Sequence, residues 1–280
     1  MAQGLIRLSF TREPRAGDTL RGDIRVPDGP PPRTAVVVVH GFKGFKGWGF
    51  FPWVADELAG AGYAVVTFDF SRNGIAGDPD RFTDLDRFAA NTLSLEQEEL
   101  RAVLTEILDG EILPRRPRRA ALLGHSRGGG HTILAAVAEP RVGALVTWAS
   151  VARFDRWSQE TKARWRAEGR IWVLNQRTGE QMAVGLGLLE DFEAHRSDLD
   201  VEAAARRVGV PWLIVHGSED MTVWPEDAEI LARANPAARL HRVEGAGHTF
   251  EVRHPFEGVS PHLREAMDRT LDHLCRHLEP

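Results

Sequence analysis

Leu122-Leu123-Gly124-His125-Ser126-Arg127-Gly128-Gly129-Gly130 is the stretch that decides the fold. The apolar run 120–123 leads into a serine with glycines two before and two after it, and a small-residue run follows. The pattern predicts a strand, a sharp turn and a helix over 126–138 that ends near Pro140. Glycines leave room where a backbone turns that tightly. Such a turn exposes the serine hydroxyl at a helix N-terminus, where the N–H of Arg127 points toward a developing oxyanion. G-x-S-x-G alone is common by chance; the strand before and the helix after are what the mechanism requires. The bland alternative is a serine that caps a helix beside a phosphate loop. Its loop is missing, because there is no G-x-x-x-x-G-K-[ST] and no G-x-G-x-x-G after a first strand.

Outward from this turn, the chain alternates strand and helix. The run 35–39 is Ala followed by four Val, with no polar alternation, which suits a central parallel strand covered on both faces. Before it, 5–10 and 19–26 alternate roughly, with Pro14, Gly17 and Asp18 between them, and predict an N-terminal hairpin. After it come a predicted helix over 50–61, with Pro52 tolerated in its first turn, and a strand over 63–70. Leu95, Leu100, Val103, Leu104, Ile107 and Leu108 fall at helical spacing, and Gly110 stops that helix. Strands at 142–148, 211–216 and 239–243 and helices at 226–234 and 261–278 complete the rhythm. The fold class is therefore α/β, a mainly parallel central sheet with helices on both faces. The rhythm breaks over 151–208, where Trp157, Trp165 and Trp172 stand among many charges. That segment is expected to be a helical insertion, a lid or cap over the sheet rim, between core segments 1–150 and 209–280.

Composition excludes several classes. The 280 residues are 42% hydrophobic and 27% charged, enough for one large domain or one domain with a small insertion. The net charge of -5 gives no electrostatic reason to hold a nucleic acid. Arg115-Arg116-Pro117-Arg118-Arg119, the local exception, reads as a solvated loop. The sole cysteine, Cys275, allows no intrachain disulfide and suits a reducing compartment. Residues 1–10 lack the apolar core of a secretory signal. Apolar runs of about five to eight residues are too short to cross a bilayer. A cytoplasmic protein without a membrane partner is expected, and nothing in the sequence supports an oligomer.

A serine hydroxyl needs a base to become a nucleophile. His248, in Glu244-Gly245-Ala246-Gly247-His248-Thr249-Phe250, lies on a glycine-rich loop after the last predicted strand. The base needs a carboxylate to fix its tautomer and stabilise its charged form. Asp220, in His216-Gly217-Ser218-Glu219-Asp220, follows the 211–216 strand, with Glu219 as its rival. Each of the three follows a strand, so they can converge at the carboxyl edge of the sheet, in the order Ser, Asp, His.

The second oxyanion donor is expected from Val39-His40-Gly41-Phe42-Lys43-Gly44-Phe45-Lys46-Gly47. Gly41 allows a close turn, and the Phe42 N–H is the preferred donor. His40 reads as a structural loop histidine. Lys43 reads either as solvated or as an attractor for an anionic substrate. Among Phe42, Phe45, Trp48, Phe50, Phe51 and Trp53, one or two should line an apolar pocket while the rest pack. Arg72 and Asn73, after the 63–70 strand, are expected to support the site or brace the Phe42 loop, and Trp172 to join the pocket. His241, His248, His254, His262, His273 and His277 lack an H-E-x-x-H pattern, so no metal is expected. No cofactor is expected either.

The chain resembles the α/β-hydrolase superfamily, and within it the dienelactone-hydrolase-like or serine-aminopeptidase-like hydrolases. His40-Gly41-Phe42-Lys43-Gly44, Phe68-Asp69-Phe70-Ser71-Arg72-Asn73-Gly74, Gly124-His125-Ser126-Arg127-Gly128-Gly129, His216-Gly217-Ser218-Glu219-Asp220 and Gly245-Ala246-Gly247-His248-Thr249-Phe250 carry the resemblance. It implies Ser126, Asp220 and His248 as nucleophile, acid and base, with oxyanion N–H groups from Phe42 and Arg127. Dienelactone hydrolases use a cysteine nucleophile, and Ser126 at that place argues against dienelactone as substrate. The expected reaction is carboxylesterase-like cleavage of a small or medium ester, or thioester, through an acyl-enzyme. Amide or aminopeptide cleavage is the first alternative, with Glu190, Asp191 and Glu193 as candidate anchors for a charged terminus. A non-hydrolytic binding protein would lack a triad member, and none is missing. A haloperoxidase-like or lyase reaction on the same scaffold is a further alternative.

Overall fold

The computed structural model describes residues 4–280. Met1, Ala2 and Gln3, part of the polar start and of the 1–150 segment, lie outside the described residues. In chain order the first half holds β1 (Leu5–Arg15), β2 (Asp18–Pro27), β3 (Thr34–Val39), α1 (Phe51–Gly60), β4 (Ala64–Asp69), α2 (Leu85–Ala89), α3 (Leu93–Asp109), β5 (Arg119–His125), α4 (Arg127–Ala138) and β6 (Val142–Trp148). The second half holds α5 (Gln159–Glu168), β7 (Arg170–Asn175), β8 (Glu180–Gly185), α6 (Gly187–Ala194), α7 (Val201–Ala205), β9 (Trp212–Gly217), α8 (Pro225–Ala234), β10 (Arg239–Val243) and α9 (Pro261–His277).

Eight strands form one sheet in the order β1-β2-β4-β3-β5-β6-β9-β10. From β4 to β10 every pairing is parallel, while β1–β2 and β2–β4 are antiparallel. The unbroken apolar run in β3 has its predicted cause. Val36 and Val38 face a core built with Val54 and Leu58 of α1 and Leu263 and Met267 of α9. Ala35, Val37 and Val39 face the opposite core, with Leu100 of α3 and Ile133 of α4. Helix ends follow local chemistry. Thr92 caps α3 by accepting from the Leu95 N–H, and Gly110 ends it at φ +85°.

The predicted N-terminal hairpin is present, with strands longer than the sequence pattern indicates: β1 and β2 pair almost to Ala16 and Gly17, with a register irregularity between Arg12 and Arg15. One expectation needs correction, that for 151–208, which is not all helical. β7 and β8 form an antiparallel hairpin between α5 and α6, with Trp172 opposite Ala183. The helix layer of the core resumes inside this stretch, because α7 packs on α4 and α8. A third apolar cluster joins the hairpin to the rim of the sheet. In it Trp165, Ile171, Met182 and Val184 meet Phe45, Phe82 and Phe88.

Candidate active site

Ser126 sits between β5 and α4 at φ +57° and ψ −123°. A side-chain-bearing residue rarely adopts this backbone region, and holding it costs about 1–3 kcal/mol. Its hydroxyl makes no capping hydrogen bond to α4, so the helix-cap alternative fails on geometry. Close packing explains the flanking glycines. A Cβ at Gly124 would come within 2.4 Å of the Thr132 hydroxyl, and one at Gly128 within 2.4 Å of the His40 carbonyl. Across the turn, a Cβ at Gly41 would stand 2.8 Å from the Ser126 Cβ. Gly41 thus lets the loop after β3 lie directly against the serine.

That loop is braced from the next strand. The Lys46 N–H donates to Asp69 Oδ1 at 2.7 Å, and Asn73 Nδ2 donates to the same oxygen at 3.1 Å and to the Gly44 carbonyl at 3.5 Å. Asn73 therefore braces the loop that carries Phe42. Arg72 does not. Its guanidinium holds Asp18 through two bonds of 2.9 Å and the Ala90 carbonyl, away from the cavity. His40 is buried and structural, with Nδ1 bonded to the Gly41 carbonyl at 2.9 Å. Among the described residues, neither the Phe42 nor the Arg127 N–H donates to a protein acceptor. Both are free to meet an oxyanion beside Ser126.

Asp220 is fully buried at the end of β9. Its Oδ1 accepts from the N–H groups of Thr222 and Val223 at 2.8 and 2.9 Å, and its Oδ2 accepts from His248 Nδ1 at 2.7 Å. A second imidazole shares that oxygen, with His216 Nε2 at 3.3 Å. Burial raises the cost of the Asp220 charge. The hydrogen bonds from His216, His248 and the Val223 N–H outweigh it and hold the carboxyl well below the usual range. Glu219, the rival acid, is exposed. His125 fixes the His248 backbone, donating from Nε2 to the His248 carbonyl at 3.0 Å, and burial holds its pKa down at about 3. Ser126 and His248 line one cavity of about 480 Å³. Among the described residues no hydrogen bond links the serine hydroxyl to the imidazole. Such bonds commonly tighten only when substrate binds.

Several polar residues at the site are beyond what the motifs indicate. The Arg127 guanidinium stacks over the Phe42 ring, 4.1 Å from its centroid, and meets Glu96 Oε1 at 3.4 Å. Buried Glu96 also accepts from His131 Nε2 at 2.8 Å and Asn91 Nδ2 at 2.7 Å. Burial opposes its charge, but Arg127, His131 and Asn91 together hold its pKa down to about 2. A signal was present: Glu96 and Glu99 lie four residues before Leu100 and Val103, on the apolar stripe of α3. Arg153, Arg156 and Arg177 also line the cavity. Nothing in the sequence distinguishes them from solvated surface arginines.

The aromatic expectations divide. Phe42, Trp48 and Phe51 line the cavity, together with Trp157 and Trp165. Phe45 and Phe50 are fully buried in packing, and Trp53 lies under the Arg264 guanidinium at 4.7 Å. Lys43 lines the cavity and donates from Nζ to the Leu174 carbonyl of β7 at 2.9 Å. Trp172 is a correction. It is 55% exposed, because in β7 its neighbours Ile171 and Val173 take the cavity side and strand alternation turns Trp172 outward. The acids proposed for an amide substrate are occupied elsewhere. Asp191 receives the Ser94 N–H at 2.9 Å, Glu193 pairs with Arg166 at 2.6 Å, and neither they nor Glu190 line the cavity.

A sheet edge with a strained serine elbow, a buried Asp–His pair and two free N–H donors defines the hydrolase class of α/β proteins. The pattern of the alpha/beta hydrolase family matches residues 36–261, and the chain belongs to that family. Among characterised proteins, it is 29% identical over 244 residues to a non-heme chloroperoxidase of Streptomyces lividans, covering 72% of this chain and 80% of that one. It is 24% identical over 208 residues to a 2,6-dihydropseudooxynicotine hydrolase of Paenarthrobacter nicotinovorans, covering 70% of this chain. The match spans only 47% of that enzyme. Among solved structures, the esterase domain of a Rhodothermus marinus protein superposes with a TM-score of 0.65 at 21% identity, over 97% of this chain and 99% of that one. A monoacylglycerol lipase of Paleococcus ferrophilus gives 0.66 at 18% identity, over 98% and 99%. Among the described residues, no helix is long and apolar enough to cross a membrane.

Proposed function

We propose that the chain is a serine-dependent carboxylesterase acting on small or medium esters or thioesters, with Ser126, His248 and Asp220 as its triad. His248 takes the Ser126 proton as Oγ attacks the acyl carbonyl. Asp220 holds the imidazole by Nδ1 and stabilises its positive charge. The Phe42 and Arg127 N–H groups carry the oxyanion. His248 then gives its proton to the departing alcohol or thiol, leaving an acyl-enzyme. Water attacks that ester through the same base and frees the acid.

The observation that carries this reading is the serine held at φ +57° with an uncommitted hydroxyl, in the same cavity as a histidine 2.7 Å from a buried carboxylate. Strain of that kind is retained where a site needs it. Amide or aminopeptide cleavage is less well supported, since no Asp or Glu among the described residues lines the cavity to anchor an amino terminus. A fluorophosphonate probe should label Ser126 in the wild type and not in Ser126→Ala, and short acyl esters should turn over faster than aminoacyl amides. A folded wild type that resists the probe and hydrolyses no ester would end the proposal.

A further inference from the structure

The cavity is cationic in a chain that is acidic overall. Five basic side chains line it, Lys43, Arg127, Arg153, Arg156 and Arg177, and no Asp or Glu among the described residues does. The whole sequence has the reverse balance, 40 acids to 35 bases. Arg127 is neutralised by Glu96. Among the described residues, the other four have no carboxylate within ion-pair distance, whereas Arg7, Arg25, Arg72, Arg141 and Lys162 elsewhere each have one.

None of the four cations is neutralised, and three of them are held in place. Lys43 donates to the Leu174 carbonyl at 2.9 Å, Arg156 to the Thr222 carbonyl at 3.0 Å and Arg177 to the Asp80 carbonyl at 2.9 Å. A guanidinium has five N–H donors and a single carbonyl occupies few of them. Arg153 makes no side-chain hydrogen bond among the described residues and is exposed. Arg153 and Arg156 stand just after β6, and Arg177 at the tip of the β7–β8 hairpin, so two separate segments bring charge to one mouth. The walls between are apolar, with Phe154, Trp157 and Trp165. Low-dielectric walls strengthen the field of unpaired charges and draw an anion inward.

We infer that the substrate is an anionic ester, with a carboxylate remote from the scissile carbonyl held by Arg153, Arg156 and Arg177 while its apolar body lies against the aromatic walls. The inference rests on the esterase reading for the fate of the bound molecule, but not for the binding of the anion. An anion also relieves the mutual repulsion of the cations, and burial already presses the Lys43 pKa downward. The planar guanidinium fork matches a carboxylate in two parallel bonds.

Binding decides the matter independently of turnover. 4-tert-Butylbenzoate and the neutral 4-tert-butylbenzyl alcohol share a body and differ in charge, and titration calorimetry at low salt gives both affinities. The acid is expected to bind about tenfold tighter or more, equivalent to about 1.4 kcal/mol. The margin should shrink several-fold in an Arg153→Gln/Arg156→Gln/Arg177→Gln variant, and in the wild type as salt is raised. Equal binding of acid and alcohol by the wild type overturns the inference, as does a preference that survives both the triple substitution and high salt. Replacing the acid by 4-tert-butylphenyl phosphate separates carboxylate from phosphate recognition, and a stronger preference for the phosphate overturns the carboxylate assignment. Turnover then separates the two proposals. Monomethyl adipate should be cleaved with higher kcat/KM than methyl hexanoate, and 4-acetoxybenzoate than 4-tolyl acetate. Acid preference in binding without turnover of any of the four esters sinks the esterase reading alone. Turnover of charged and neutral esters alike, without acid preference in binding, sinks the anion inference alone.

Discussion

Beneath the cavity, Asp220, Glu96, His131 and His216 are buried and each has polar partners at hydrogen-bonding distance. Above it, Arg153, Arg156 and Arg177 are exposed and hold a backbone carbonyl or nothing. Charge in the floor is fixed in pairs, which costs no reorganisation when a reaction passes over it. Charge in the roof is left for something that arrives from outside. The difference teaches that one cavity can divide its work, with the floor governing what happens to a carbonyl and the roof governing which molecule brings it.

Substitutions can break this division. The largest effect is expected from Ser126→Ala, which should lower kcat by about 10⁴-fold or more while the melting temperature does not fall. Loss of stability alongside activity would show the elbow serving the fold. Asp220→Asn should cost about 10³- to 10⁴-fold in kcat with the fold kept, read by ester hydrolysis and circular dichroism. His216→Gln removes one of two imidazoles from the same carboxylate. It should cost about 10- to 100-fold, since a hydrogen bond to a charged group is worth about 1.5–3 kcal/mol. A neutral result would reduce His216 to packing.

The paired floor also predicts how stability follows pH. Glu96 is held at about 2 against a usual 4.5, so its contribution is full above about pH 4.5 and is lost as pH falls toward 2. Glu99, one turn on, accepts from the Ser71 N–H at 3.0 Å and from the Ser71 hydroxyl, yet burial raises its pKa to about 7. Its contribution has the opposite sign, full below about pH 4.5 and lost as pH rises toward 7. Denaturant melts of Glu96→Gln should show a loss of about 3 kcal/mol at neutral pH, because Arg127 is left buried without its counter-charge. Glu99→Gln should flatten the decline between pH 4.5 and 7 instead. If both variants moved the pH profile the same way, the pairing scheme would be wrong. The smallest effect belongs to the roof's outer face, where Trp172→Ala should change stability by less than about 0.5 kcal/mol and leave kcat/KM unaltered.

The parts of this site that the sequence displayed are those tied to strong local patterns. Ser126, Asp220 and His248 each stand just past an apolar run, and a strand buried on both faces can be read without knowing its partners. The hairpin of 151–208 was hidden, because β7 buries Ile171 and Asn175 but exposes Arg170, Trp172 and Leu174, a weak alternation among charges. Read as helix, Trp165 and Trp172 are seven residues apart and share a face. Read as strand, Trp172 opposes its own neighbours, and that difference alone moved it from pocket to solvent. Glu96 and His131 were hidden for another reason. The apolar stripe of α3 marks Glu96 as buried, but not what neutralises it, because its partners Arg127 and His131 lie 31 and 35 positions away.

Ser126 carries a last consequence, one for the history of such a chain rather than for its chemistry. Glycine at that position would relieve a left-handed backbone of about 1–3 kcal/mol, so losing the proposed nucleophile is the thermodynamically downhill step. Selection for a serine-dependent turnover would have to oppose that drift. A descendant released from the reaction should turn up sturdier than its ancestor, with the serine gone and the sheet unchanged.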